Sequence, residues 1–131
     1  MPVSWETQMK EPSHVTALAE RHCVPCEGGV PPLNAEQVAP LLDQLKGWRV
    51  EESGDHDQLV KRFHFPDFVS AVGFVNQITP VAEQEQHHPD LLVSWGRVGV
   101  QLWTHVAGGL TENDFIMAAK IDELAAGVER P

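Results

Sequence analysis

His87 and His88 stand side by side ahead of Pro89, and Glu83 lies four residues before His87. At helical spacing a carboxylate and an imidazole four apart share a face, so Glu83 can orient His87 and favour its protonated form. The C-terminal end of a helix favours the same cation. Pro89 disfavours α conformation at His88, so two adjacent imidazoles leave one junction in different directions. His105 and Asp114 complete the candidate set. No Ser or Cys is placed for covalent catalysis, and no glycine-rich phosphate loop is present. Imidazoles with a carboxylate and no nucleophile suit general acid–base catalysis near neutral pH. An acid that protonates a departing hydroxide, paired with a base, is the equipment of a dehydration. Trp103 offers a flat apolar surface to a planar heterocycle.

Each residue also has an ordinary reading. A His-His pair is commonly structural, a strand-end His such as His105 is commonly solvated, and Glu83 alone is a helix-surface charge. Trp95 reads as core, Trp103 as an interface filler, and Asp114 as a residue serving the last helix's N-terminus. Metal binding by Glu83, His87, His88 and His105 is chemically permissible, but adjacent histidines rarely converge on one ion, and no metal site is expected.

The elements that must position these groups follow from periodicity. Asn34 with Gln37 forms a capping-box pattern, and Val38, Leu41, Leu42 and Leu45 give a first helix that Gly47 closes. Residues 48–51 and 58–65 read as strands around a turn at Ser53-Gly54-Asp55. Pro66-Asp67 starts a second helix with Phe68, Ala71, Val75, Ile78 and Ala82 on its core face, and Pro80 should kink or divide it. A hairpin turning at Gly96 follows, with Leu91, Val93, Trp95, Val98, Val100 and Leu102 on the buried face and Trp103 and His105 on the open one. A hairpin makes the start of its first strand and the end of its second neighbours, which brings His105 near His87 and His88. After Ala107-Gly108-Gly109, Thr111 caps a final helix with Met117, Ile121, Leu124 and Val128 inward. The expected fold is α+β and two-layered, a four-stranded antiparallel sheet with three helices packed on one face in the order α-β-β-α-β-β-α.

Residues 1–32 read as an extended arm ending in Gly28-Gly29-Val30-Pro31-Pro32, with a short helix within Ser13–Arg21, ahead of a domain over 33–131. The two cysteines, Cys23 and Cys26, form a CxxC in this arm. With no second CxxC, and only His14 or His22 to help, free thiols are the simpler expectation than zinc or a redox pair. Nine basic residues against 19 acidic ones, a formal charge of −10, argue against direct contact with nucleic acid or anionic lipid. No apolar run approaches a membrane span and no secretory signal is visible, so the expected location is cytoplasmic.

The run Glu83-Gln84-Glu85-Gln86-His87-His88-Pro89-Asp90, followed by Trp95, His105 and Asp114, resembles the signature of the pterin-4a-carbinolamine dehydratases. Leu102-Trp103-Thr104-His105, residues 108–114 and the arm segment 23–32 resemble its bacterial members. The resemblance spans about residues 22 to 126. It implies a metal-free, cofactor-independent hydro-lyase that converts 4a-hydroxytetrahydrobiopterin, or a related pterin carbinolamine, to quinonoid dihydropterin, recycling the pterin after aromatic amino acid hydroxylases. Carried over by position, His87 and His105 are the acid–base groups on the two faces of C4a. Glu83 supports His87, and His88, Pro89, Trp103, Thr104 and Asp114 serve substrate binding. It also implies a homodimer or homotetramer joined through sheets. Gln86 departs from an Asp found in some relatives, which removes an anionic contribution there. The competing function is a non-catalytic module, since animal relatives double as dimerisation cofactors of a homeodomain transcription factor and some bacterial relatives act as assembly factors. Retention of all three histidines favours the enzyme.

Overall fold

One strand register decides which residues meet the helices. The computed structural model describes residues 18–25 and 30–129. Its elements are α1 (Ala35–Leu42), β1 (Arg49–Ser53), β2 (His56–His64), α2 (Phe68–Glu85), β3 (Asp90–Ser94), β4 (Arg97–Leu102) and α3 (Glu112–Ala125). The strands form one antiparallel sheet in the order β1-β2-β4-β3. The pairs Leu59↔Leu102, Lys61↔Val100 and Phe63↔Val98 align one row of side chains, which Leu91 and Val93 extend across β3. Because side chains alternate along a strand, this row points one way and Arg49, Arg62, Leu92 and Gln101 point the other. Leu59, Phe63, Val98, Val100 and Leu102 share one core with Ala71, Phe74 and Ile78 of α2 and Phe115, Met117 and Ile121 of α3. The α+β, two-layer arrangement expected from the periodicity is the one observed.

Lys61 is the charged member of the inward row. Its Nζ lies 2.9 Å from Asp122 Oδ1 of α3 and 3.0 Å from the Lys46 carbonyl, above the ring of Phe63. Trp48 Nε1 donates to the same Asp122 carboxylate. These bonds satisfy a cation at the border of the core, where an unpaired one would be costly.

Several local expectations need correction. Pro80 does not divide α2, which runs unbroken to Glu85. Pro80 is exposed, and so is Asn76, the residue whose carbonyl loses its donor. On the same helix Phe68 is half exposed and Phe74 takes the core position instead. Trp95 is 71% exposed rather than core, because it occupies the two-residue turn with Gly96. Val128 is exposed because α3 ends at Ala125. Strand β2 starts at His56, which pairs with Ser53 and shortens the loop to Gly54-Asp55.

Residues 18–20 are helical, and Leu18 is 1% exposed within the core. Arg21 is already outside the helix, and residues 13–17 of the stretch expected to hold it, together with Cys26 and Gly28-Gly29, lie outside the described residues. Among those described, no helix is long and apolar enough to cross a membrane.

The β3–β4 turn depends on Gly96. Its φ is +68°, and an added Cβ would sit 2.9 Å from the Phe65 carbonyl oxygen, while the Gly96 carbonyl accepts from Phe65 N at 2.8 Å. Gly96→Ala is therefore expected to lower unfolding stability by about 2 kcal/mol. Urea denaturation checks this, and a change within about 0.5 kcal/mol, the range of ordinary surface substitutions, would contradict it.

Candidate active site

The His-His junction is formed by the end of α2. Gln86 caps that helix in the left-handed region, with φ 55°, and its side-chain amide donates to the Glu83 carbonyl at 2.7 Å. The chain then leaves the helix axis, and Pro89 keeps His88 out of α conformation. The two imidazoles separate as that local argument requires. His87 turns inward and is 9% exposed, whereas the His88 side chain is 56% exposed.

The carboxylate partners differ from those expected. Glu83 does not meet His87; its Oε2 lies 2.6 Å from His88 Nε2. His87 Nε2 instead lies 2.6 Å from Oδ1 of Asp114, which is fully buried. The second oxygen of Asp114 accepts from Thr104 Oγ1 and from the Thr111 backbone N–H, each at 2.9 Å. Since Thr104 spends its only hydroxyl proton on Asp114, the 2.8 Å contact between the two threonine hydroxyls must be donated by Thr111. With Asp114 accepting at both oxygens, the bonding selects the His87 tautomer with its proton on Nε2. Nδ1 is then the ring nitrogen available for proton transfer.

Asp114 thus serves the N-terminus of α3 and orients His87 at once. Being fully buried, Asp114 is not among the residues that line the cleft described below. Thr104 lines the cleft, but its hydroxyl is held by Asp114 and Thr111.

His105 is not on a strand. Strand β4 ends at Leu102, and His105–Ala107 form a single 3-10 turn. The Thr104 carbonyl accepts from the N–H groups of Ala107 and Gly108, and Gly108 takes φ 72° to close the turn. This brings the His105 ring against Trp103, centroids 3.9 Å apart and planes 19° apart. Trp103 also stacks with His56 of β2 at 3.5 Å. The hairpin argument for proximity holds, since Asp90 pairs with Gln101. His87, His88, Trp103, Thr104 and His105 accordingly line one cleft of about 640 Å³. Three imidazoles and a flat indole around one opening can deliver protons to, and remove them from, a planar ligand. Among the described residues, no group of three or more His, Cys, Asp or Glu side chains is arranged to hold a metal ion.

Residues 31–124 match the family model described as pterin 4 alpha carbinolamine dehydratase. The chain belongs to this family. A provisionally named pterin-4-alpha-carbinolamine dehydratase of Rickettsia canadensis is 52% identical over 109 residues, covering 82% of this chain and 97% of that one. A similarly named protein of Rubrobacter xylanophilus is 46% identical and covers 84% of this chain and 100% of that one. Among solved structures, one titled transcriptional coactivator/pterin dehydratase from Brucella melitensis shares 34% identity, with a TM-score of 0.67 over 72% of this chain and 99% of that one. A pterin dehydratase-like protein identified as a RuBisCO assembly factor is 23% identical with a TM-score of 0.52, a likeness of fold. Membership in this dehydratase family makes the chain an enzyme of the hydro-lyase class.

Two further residues bordering the cleft are given no role in the reading by motif. Glu85 falls on the buried stripe of α2 with Ala71, Phe74, Ile78 and Ala82. A carboxylate at core spacing was the available signal. Its Oε1 accepts from the Cys23 backbone N–H at 2.7 Å, and its Oε2 pairs with His22 Nδ1 at 2.8 Å. Asn113 accepts from Val24 N–H and donates to the Val24 carbonyl. No sequence pattern announces that pairing.

Burial pushes the Glu85 carboxyl up, but hydrogen bonds from Cys23 and His22 and the charge of Lys120 outweigh it and hold the group below its ordinary value. A depressed folded value means that the ionised carboxylate stabilises the fold above the unfolded value of about 4.3 and that this is lost as pH falls through the folded value. Wild type should therefore exceed Glu85→Gln in stability at neutral pH, with the gap closing below about pH 4. Denaturant unfolding across pH measures it, and a gap that widens on acidification would contradict the assignment.

Proposed function

We propose that the chain dehydrates a pterin-4a-carbinolamine, such as 4a-hydroxytetrahydrobiopterin, to quinonoid dihydropterin and water by histidine general acid–base catalysis. The observation that carries this reading is the meeting of His87, His88 and His105 on one cleft, with His87 seated on a buried carboxylate. In the reaction the C4a–O bond breaks and the hydroxyl leaves as water once protonated. The N5–H proton is removed, and its electron pair forms the C4a=N5 double bond. His87 and His105 take the acid and base roles on the two faces of C4a. Asp114, held by Thr104 and Thr111, fixes the His87 ring so that Nδ1 carries the transferred proton. Trp103 offers its ring to the heterocycle. His88 binds the pterin, with Pro89 setting its backbone, and Glu83 contributes through His88 rather than through His87.

This chemistry needs no metal or organic cofactor. It suits recycling of a tetrahydropterin after an aromatic amino acid hydroxylase has used it. The same reading makes the chain a cytoplasmic homodimer or homotetramer that does not bind nucleic acid or membrane. Sheet edges β1 and β3 are the strands such assembly would cover.

The test is the dehydration rate of freshly generated carbinolamine. Wild type should accelerate it, unaffected by chelator, while His87→Ala and His105→Ala should each lose about 100-fold or more in kcat/KM with folding intact. Wild type no faster than the spontaneous reaction would overturn the reading for this substrate.

Asp114→Asn separates orientation from packing. The amide fills the same volume but cannot accept at both oxygens, so His87 loses the tautomer selection. A fall in kcat of at least about tenfold with KM nearly kept is expected, since general acid–base groups contribute about 10² to 10⁴ in rate. Unchanged kcat in Asp114→Asn would remove Asp114 from the mechanism.

A further inference from the structure

The arm residues beside the cleft are unexplained by the acid–base machinery. Cys23, Val24 and Pro25 line the same opening as His87, His88 and His105. They are fastened to it with unusual completeness for a segment without strand pairing. Glu85 takes the Cys23 backbone N–H and the His22 ring. Asn113 brackets Val24 from both sides, accepting from its N–H at 3.0 Å and donating to its carbonyl at 2.7 Å. Cys23 Sγ lies 3.6 Å from the Asn113 carbonyl. Further back, Lys120 Nζ donates to the Ala19 carbonyl and Leu18 is sunk in the core.

The anchors are informative by position. Glu85 lies two residues before His87, and Asn113 immediately precedes Asp114. The arm is therefore tied to the two chain segments that supply the His87–Asp114 pair, and its placement is referenced to the reacting groups. Every backbone polar group used in this fastening turns toward the fold, which leaves the Val24 side chain outward. Val24 is 66% exposed, an apolar side chain at the cleft rim beside Pro25, with Val106 of the opposite chain segment also exposed there at 55%. A planar heterocycle entering between such side chains and Trp103 would bury apolar surface on both partners.

We propose that residues 23–25 form a substrate-contacting wall of the cleft, with Val24 a specificity-determining residue for the pterin and Glu85 and Asn113 the positioning residues that hold it. This rests on the pterin reading above for the identity of the ligand. The wall acts on binding and not on proton transfer, because it carries no titrating side chain at the rim other than the thiol of Cys23, which is turned to Asn113.

The experiment uses the full chain, with two readouts: carbinolamine dehydration kinetics, and equilibrium binding of dihydrobiopterin, which lacks the 4a-hydroxyl and cannot react. Val24→Ala should weaken dihydrobiopterin binding and raise KM by about threefold, and Val24→Glu by about tenfold, with kcat within about twofold of wild type. Because Val24 is exposed, neither change threatens folding. Asn113→Ala should weaken binding to a similar degree, and in that background Val24→Ala should have little further effect, since the wall is already released. Wild-type binding in Val24→Glu, or additive losses in the double variant, would overturn the wall or the positioning role respectively. Wild type that binds dihydrobiopterin but fails to dehydrate carbinolamine overturns the reaction alone, and the Val24 series then still decides the wall. Wild type that binds no pterin overturns both.

Discussion

Asp114 has no exposure to water, and three donors from three parts of the chain close on it: the His87 ring after α2, the Thr104 hydroxyl after β4, and the Thr111 N–H at the start of α3. A buried carboxylate with fewer partners would be expensive, because each unmet hydrogen bond leaves its full desolvation cost in place. The same three bonds join the ends of the elements that border the cleft. Asp114 is thus at once the N3 carboxylate of a capping box, the junction of the hairpin with the last helix, and the partner that holds the His87 imidazole.

This sharing explains why the histidines differ in surroundings. His87 is enclosed and held at Nε2 by Asp114, which leaves Nδ1 as its other ring nitrogen. His88 is exposed and meets Glu83 at the surface, where a single ion pair contributes little. His105 is held through ring stacking on Trp103, which itself stacks on His56. The three groups are positioned by a buried hydrogen bond, a surface pair and an aromatic column. Only the first depends on excluding water.

The arm adds a second layer of the same logic. Glu85 sits at core spacing on α2, yet its carboxylate is directed to residues 22 and 23, and the bonds it accepts outweigh its burial. Over residues 18–25 the Pro/Gly-rich arm is bonded to Glu85, Asn113 and Lys120 and packs Leu18 into the core. A chain segment gains order when its backbone donors and acceptors find fixed partners, and Glu85 and Asn113 supply them.

Periodicity settled the element order, the antiparallel hairpins and most of the inward row of the sheet, because alternation and helical spacing are local consequences of backbone geometry. Residue types and spacing likewise nominated His87, His88, His105, Glu83 and Asp114. Errors arose where local pattern competes with position in space. Trp95 continues the alternation but falls on a turn, Phe68 keeps helical phase but lies at the exposed first turn, and His105 follows strand parity into a 3-10 turn. Pairing was the larger gap. Glu83 is four residues from His87 but meets His88, while His87 meets Asp114, 27 residues away. Sequence determines which groups are present and which face of its own element each occupies. Which carboxylate meets which imidazole depends on how helix ends, turns and a distant arm converge, and that is fixed only when the core packs and every buried polar group must find its partner.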